Sequence, residues 1–323
     1  GGEVLLQRLE VLAVHGDAEG LHPGEQVHEW QLDVGHELGP AVLLDGAVAF
    51  LQDDKGLDGL VPHRVGHPDD GGVGDGFEFF DGDRYGWHAE TTLGGVVTLT
   101  MNEPKSRNAL SDALREGLSS AVRALSQDTE VRAVILTGSG GVFCAGGDLK
   151  KMLANHKAGL VTGSEDILPR MKHLHGWIKL LRDLPVPVIT AVDGPAYGAG
   201  LGLALTGDII LASDRASFNA SFCKVGAVPD GNLFYSLPRM VGLQRAREMF
   251  YTGRTVEAAE AKDIGICLEV TTPENLLPRA QEMARMMCDS SRLAFGMTKQ
   301  IAARAMELDS DALLQLEAQA QAI

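Results

Sequence analysis

Residues 1–90 of this 323-residue chain contain no Ser, Thr, Asn, Ile, Met or Cys, and this confines any ordinary hydrophobic core to the remainder. Ser is abundant in globular domains and Ile is a usual core former, so losing six residue types together is a strong compositional departure. The same stretch holds 19 of the 44 Asp and Glu but 4 of the 28 Lys and Arg, together with 17 of the 39 Gly and seven of the ten His. Nearly all of the formal charge of −16 therefore lies at the N-terminal end. DGLVPHRVGHPDDGGVGDGFEFFDGD offers little to bury and much entropy to lose. We read residues 1–89 as an atypical acidic Gly/Asp/His-rich extension, either poorly ordered or the translation of a wrong frame of GC-rich DNA. A metal site built on His22, His28, His36, His63 and His67, or an acidic partner-binding arm, is a lesser reading.

From about Glu90 the composition becomes ordinary and the elements become readable. GGVVTLTM (94–101) is rich in β-branched residues between turn formers and predicts a strand. Ser111 is placed to cap a helix whose Leu114, Leu118, Val122 and Leu125 form one apolar stripe. VRAVILTG, PVPVITAV and DIILAS predict further strands, with an amphipathic helix over 167–182 and a small-residue helix in GAGLGLALTG. Beyond Gln244 helices are expected over 244–252, 256–263, 273–289, 292–306 and from Asp309 onward. Strands alternating with helices, followed by a helical tail, give an α/β core over 90–265 and a helical region over 266–323.

The net negative charge disfavours phosphate-backbone binding, which needs Lys and Arg to displace counterions, so nucleic acid is not an expected partner. No run of eighteen apolar residues predicts a membrane span, and the start lacks a signal-peptide pattern. Cys144, Cys223, Cys267 and Cys288 are widely spaced without a CxxC pair. Free thiols, no metal, and a reducing, cytoplasmic compartment are the expectation.

Two Gly-rich junctions stand where a strand meets a helix: GSGGVFCAGGDLK after Thr137 and DGPAYGAGLGLAL after Val192. Glycine permits close backbone approach, and the first amides of a helix have no intrahelical acceptor, so each junction frees N–H groups for an anionic oxygen. The second junction also reads as tight packing of a small-residue helix. A dinucleotide fingerprint starting at Gly198 needs Gly or Ala at 203, where Leu203 stands, and no GK[ST] follows either loop to make a P-loop.

NEPKSRNALS, AVILTGSGGVFCAGGDLKKM, PVPVITAVDGPAYGAGLGLAL, DIILASDRASFNASFCKVGAVPD, LPRMVGLQRAREMFYTGR and EAKDIGICLEV occur in an order that resembles the crotonase (enoyl-CoA hydratase/isomerase) superfamily. The resemblance runs from about Gly94 to the C-terminus. It implies a spiral of ββα units, a C-terminal helical region used in trimer or dimer-of-trimers assembly, and an acyl-CoA thioester as substrate with no prosthetic group. It also implies that the chain continues past Ile323, so the C-terminal region is expected to be truncated. By resemblance, the amides of Gly147 and Ala199 form an oxyanion hole for a thioester enolate. Ala109, Ala145, Gly146, Asp148 and Leu149 would flank the CoA, and Lys105, Arg107 and Lys299 would contact its phosphates. Each of those cations reads equally as a solvated surface charge, and Asp148 and Asp208 read mainly as cap and brace.

The departures bear on the reaction. Family hydratases carry two glutamates, at the positions of Gly202 and of Ser221–Phe222 in this chain. Without them, activating and protonating across a double bond lacks its acid and base. Asp230, in GAVPDGN, is the alternative, in a pocket expected to be formed by Phe222, Val228, Leu233 and Phe234; it also reads as a helix cap. We expect an enoyl-CoA isomerase with Asp230 as proton shuttle. The alternatives are hydration, another reaction of the family such as hydrolysis or dehalogenation (with Phe143, His173, Trp177 and Tyr197 as candidate helpers), or acyl-CoA binding without turnover. His156 and His175 could reach the acyl pocket, and Cys144 is read as packing.

Overall fold

A computed structural model of the protein describes residues 28–30, 41–44, 47–50, 86–92, 94–160 and 164–323. The chain divides into two compact units, Gly1–Val61 and Pro62–Ile323. In the first, β1 (His28–Trp30), β2 (Ala41–Leu44) and β3 (Ala47–Phe50) pair antiparallel in that order, with Trp30 opposite Ala41 and Leu44 opposite Ala47. The rest of the reading for residues 1–85, including His22, His36, His63 and His67, lies outside the described residues.

The second unit is built on a six-stranded sheet. Its strands are β4 (Trp87–Thr92), β5 (Val96–Met101), β6 (Ala133–Gly138), β7 (Val188–Val192), β9 (Ile209–Ser213) and β12 (Glu269–Thr271), in the order β12-β9-β7-β6-β5-β4. The β4–β5 hairpin is antiparallel and every other pairing is parallel. β4 runs across the point where the composition changes, and Trp87 is buried in the core. A smaller sheet has the order β11-β10-β8, made of β8 (Pro195–Tyr197), β10 (Ser217–Asn219) and β11 (Thr255–Glu257).

Both faces of the large sheet are covered, which is why its strands read as continuous apolar runs rather than as alternation. Val97, Leu99, Val134, Leu136, Val188 and Val192 face one cluster, with Leu114, Leu118, Val122 and Leu125 of α1 (Asp112–Gln127) and Leu174, Trp177, Ile178 and Leu181 of a second long helix. Their neighbours Val96, Ala133, Ile135, Ile189, Ala191 and Leu211 face the opposite cluster, with Leu276, Ala280, Met283 and Ala284. Ser111 caps α1 by accepting from the Leu114 amide at 3.0 Å.

The remaining helices are α2 (Leu149–Lys157), α3 (Ser164–Arg182), α4 (Ala199–Ala204), α5 (Leu233–Val241), α6 (Leu243–Thr252), α7 (Ala258–Asp263), α8 (Pro273–Cys288), α9 (Arg292–Ala302) and α10 (Ser310–Gln321). Two sequence expectations are corrected. Val256 belongs to β11 rather than to a helix, because it pairs with Phe218 and is fully buried there. The helix from Arg292 stops at Ala302 and gives way to turns before α10.

Candidate active site

The loop after β6 and the chain leading into α4 are locked together through backbone. The Cys144 amide donates to Pro195 O at 3.0 Å and the Tyr197 amide to Cys144 O at 2.9 Å. On the other side, the Ala145 amide donates to Arg107 O at 3.0 Å and the Leu110 amide to Gly146 O at 2.7 Å. Buried Asn108, in a left-handed conformation at φ 51°, donates through Nδ2 to Ser139 O at 3.0 Å and Val142 O at 2.7 Å. Glycine is obligatory where the two loops cross: a Cβ on Gly146 (φ +93°) would lie 2.6 Å from Tyr197 O, and one on Gly200 would lie 2.2 Å from Cys144 O.

This crossing brings Gly147 and Ala199 onto the wall of one cavity of about 290 Å³, and Asp230 lines the same cavity. Ala199 is the first residue of α4, so its amide has no intrahelical acceptor. Among the described residues, neither the Gly147 nor the Ala199 amide donates to another backbone atom. Leu110, Met152, Ile167, Met171 and Leu174 supply apolar walls.

Asp230 sits between a 3-10 turn (Ser221–Val225) and α5, and it also borders a second cavity of about 600 Å³ with His175, Lys179 and Arg182. Its Oδ1 is buried with no hydrogen-bond partner among the described residues. Burial pushes its pKa above the ordinary carboxylate value, an effect partly opposed by His175. The side chain is not the cap of α5: Asn232 holds that position in a left-handed conformation, and no side chain caps the helix. Of the expected apolar surround, Val228, Leu233 and Phe234 line the larger cavity with Asp230, whereas Phe222 is buried and lines neither cavity. The two hydratase-glutamate positions are filled otherwise. Gly202 is buried with its Cα face against Gly231, where a Cβ would meet Gly231 O at 2.6 Å, and Phe222 is buried.

The residues expected around CoA divide. Ala145, Gly146 and Ala109 belong to the crossing loops, and Leu149 is exposed at the start of α2. Asp148 borders the cavity and caps α2, accepting from the Lys151 amide at 3.0 Å. Lys105 and Arg107 are exposed and form no ion pair among the described residues. Lys299 lies apart from both cavities, its Nζ donating to Asp208 Oδ2 at 2.7 Å and Val186 O at 3.1 Å. Its charge braces the end of β7, where Asp208 also accepts from the Val188 amide at 2.8 Å.

Sequence reasoning missed an ionic cluster on the cavity wall, in which Asp112 pairs with Arg115 and Lys151 and lies 3.8 Å from Arg170. The hydrogen bond from Lys151 leads the effects that hold the Asp112 carboxyl below its ordinary pKa. Only the Asp112–Arg115 spacing carried a local signal; the other two partners come from different helices. His156 borders this cavity, while Phe143, His173, Trp177 and Tyr197 do not. Cys144 is buried, its thiol pushed up to about 12 by loss of hydration, which fits packing rather than chemistry.

Known proteins resemble this chain in sequence and in fold. The family model described as enoyl-CoA hydratase/isomerase matches residues 91–322. The Escherichia coli 1,2-epoxyphenylacetyl-CoA isomerase is 35% identical over 69% of this chain and 84% of its own length. The mitochondrial methylglutaconyl-CoA hydratase of Mus musculus is 33% identical over 69% of this chain and 70% of its own. Among solved structures, an enoyl-CoA hydratase/isomerase from Cupriavidus metallidurans superposes with a TM-score of 0.68 at 35% identity, covering 73% of this chain and 87% of that one. An enoyl-CoA hydratase from Bacillus anthracis gives 0.68 at 30% identity, covering 73% and 90%. The fold is thus the crotonase fold, and the chain belongs to the enoyl-CoA hydratase/isomerase family.

Proposed function

We propose that the protein shifts a double bond in an unsaturated acyl-CoA thioester, with Asp230 as the single proton carrier. The observation that carries this reading is the convergence of the Gly147 and Ala199 residues and the Asp230 carboxylate on one cavity. The thioester oxygen accepts from the two amides. Asp230 removes a proton from the γ carbon, the electron pair moves through the alkene to the carbonyl oxygen, and the dienolate rests on the two N–H groups. The protonated carboxyl then returns its proton to the α carbon, where the enolate pair makes the new C–H bond as the carbonyl re-forms, leaving the double bond that the first step made between the β and γ carbons. Donors fixed where charge develops stabilise the transition state more than the ground state, each by about 3 kcal/mol. An unpartnered, partly buried carboxylate with a raised pKa suits both proton steps. The CoA moiety enters as part of the substrate, with Lys105 and Arg107 as the exposed cations available to its phosphates.

Hydration is the less favoured reaction, because Gly202 and Phe222 supply no second carboxylate. Assembly as a trimer, as the resemblance implies, has support in the exposed Leu149, Met152, Leu153, Leu160, Ile167 and Leu168, and sedimentation velocity measures it. The reaction is tested by offering 3-enoyl-, 2-enoyl- and aryl-CoA thioesters and identifying products by mass and NMR. Isomerisation by the native chain, and its loss by at least 100-fold in Asp230→Asn with CoA-thioester affinity retained, is the expected result. A hydrated product, or full turnover by Asp230→Asn, would overturn it; binding without turnover would make the protein a non-catalytic acyl-CoA binder.

A further inference from the structure

We infer that Gly202 is a positioning residue: its bare Cα face seats the backbone of Gly231, so that the short helix carrying the Ala199 amide also fixes where Asp230 stands. The inference rests on the assignment of Asp230 as proton carrier. A Cβ at Gly202 would lie 2.6 Å from Gly231 O, 2.9 Å from its Cα and 3.0 Å from its carbonyl carbon. From the other side, a Cβ at Gly231 (φ +61°) would lie 3.2 Å from the Gly202 Cα, 3.5 Å from Ala199 O and 3.8 Å from the Ala199 Cα. The two segments therefore touch backbone to backbone, one residue from Asp230 and at Ala199 itself.

Nothing else holds the Asp230 carboxylate, whose Oδ1 has no hydrogen-bond partner among the described residues. Its position is set through the main chain: by the seat on α4 on one side, and on the other by α5, whose Leu233 amide donates to Asp230 O at 3.2 Å while Ser236 Oγ donates to Asn232 O at 2.9 Å. Gly202 itself has an ordinary helical backbone, so glycine is not there for its φ. Alanine would favour the helix by about 1 kcal/mol. What alanine cannot do is fit, since the atoms it meets are backbone and cannot swing aside as a side-chain tip would. The Gly231 segment must move away, by a distance of the order of 1 Å, and such a misplacement of a reacting group costs about 100-fold in rate.

The test compares the native chain with Gly202→Ala, Asp230→Asn and Gly207→Ala on one 2-enoyl-CoA. Gly207 is also tightly packed, with a Cβ 2.9 Å from Thr190 Oγ1, but lies beyond the C-terminal end of α4. Gly202→Ala is expected to lose about 100-fold in kcat with KM within threefold. Its isotope effect with γ-deuterated substrate should rise, because proton removal has become the slow step. Gly207→Ala should lower the melting temperature without changing either. If Gly202→Ala does not fold, Gly231→Ala presses on the same contact from a looser 3.2 Å and should show the same split with a smaller loss. The inference is overturned if Gly202→Ala, or Gly231→Ala in its place, keeps native kcat and loses only melting temperature, as Gly207→Ala does, or if its loss falls on KM rather than kcat, while Asp230→Asn is inactive. An active Asp230→Asn would instead bring down the assignment of Asp230, and this inference with it.

Discussion

At the scale of the residue, Asp230 illustrates how a site can work against stability. Its folded pKa is raised, so the folded chain holds the proton more tightly than the unfolded chain does. Stability is therefore lost as pH rises through the interval between the unfolded and the folded value. Asp230→Asn should then keep or raise the melting temperature at pH 7 while abolishing turnover, a combination that a structural cap would not give. As a base, Asp230 works ionised, so the acid limb of the rate profile should lie above the ordinary carboxylate range; a limb at the ordinary value would contradict the assignment. Lys299 makes the opposite case. Burial lowers its pKa and raises that of Asp208, and each ion leans on the other. Lys299→Met should cost roughly 3 kcal/mol in urea denaturation by stranding Asp208. KM for acyl-CoA should not change, whereas a phosphate-binding lysine would raise it.

At the scale of the element, much was legible. The apolar stripe of α1 and its Ser111 cap lie where the spacing placed them, and Ser111→Ala should cost about 1 kcal/mol in the same denaturation assay. The parallel strands β6, β7 and β9 were read from short β-branched runs because both of their faces are covered. Elements of three residues were not legible: β8, β10 and β12 are specified by partners far away in sequence, as Phe218 is by Ala196 and Val256. α2 was announced by its junction and by Asp148, but its extent was not legible. It has no buried residue, so LKKMLANHK carries no stripe deep enough to read. Within the site, the glycines announced the two loops, but their contact with Gly231 is a tertiary fact that no local spacing encodes.

At the scale of the whole molecule, the composition breaks near residue 90 and the chain divides into two units after Val61. Removing residues 1–61 should leave acyl-CoA turnover and the melting temperature of the remainder unchanged; loss of turnover would give the acidic stretch a part in function. No helix among the described residues is long and apolar enough to cross a membrane. The four cysteines are distributed unevenly in depth: Cys144 and Cys267 are buried, Cys288 is intermediate and Cys223 is exposed. Cys223 lies in the turn that leads into the Asp230 segment. A maleimide dye would therefore attach first at that thiol, giving the native sequence a fluorescent reporter of ligand arrival without any engineered label site.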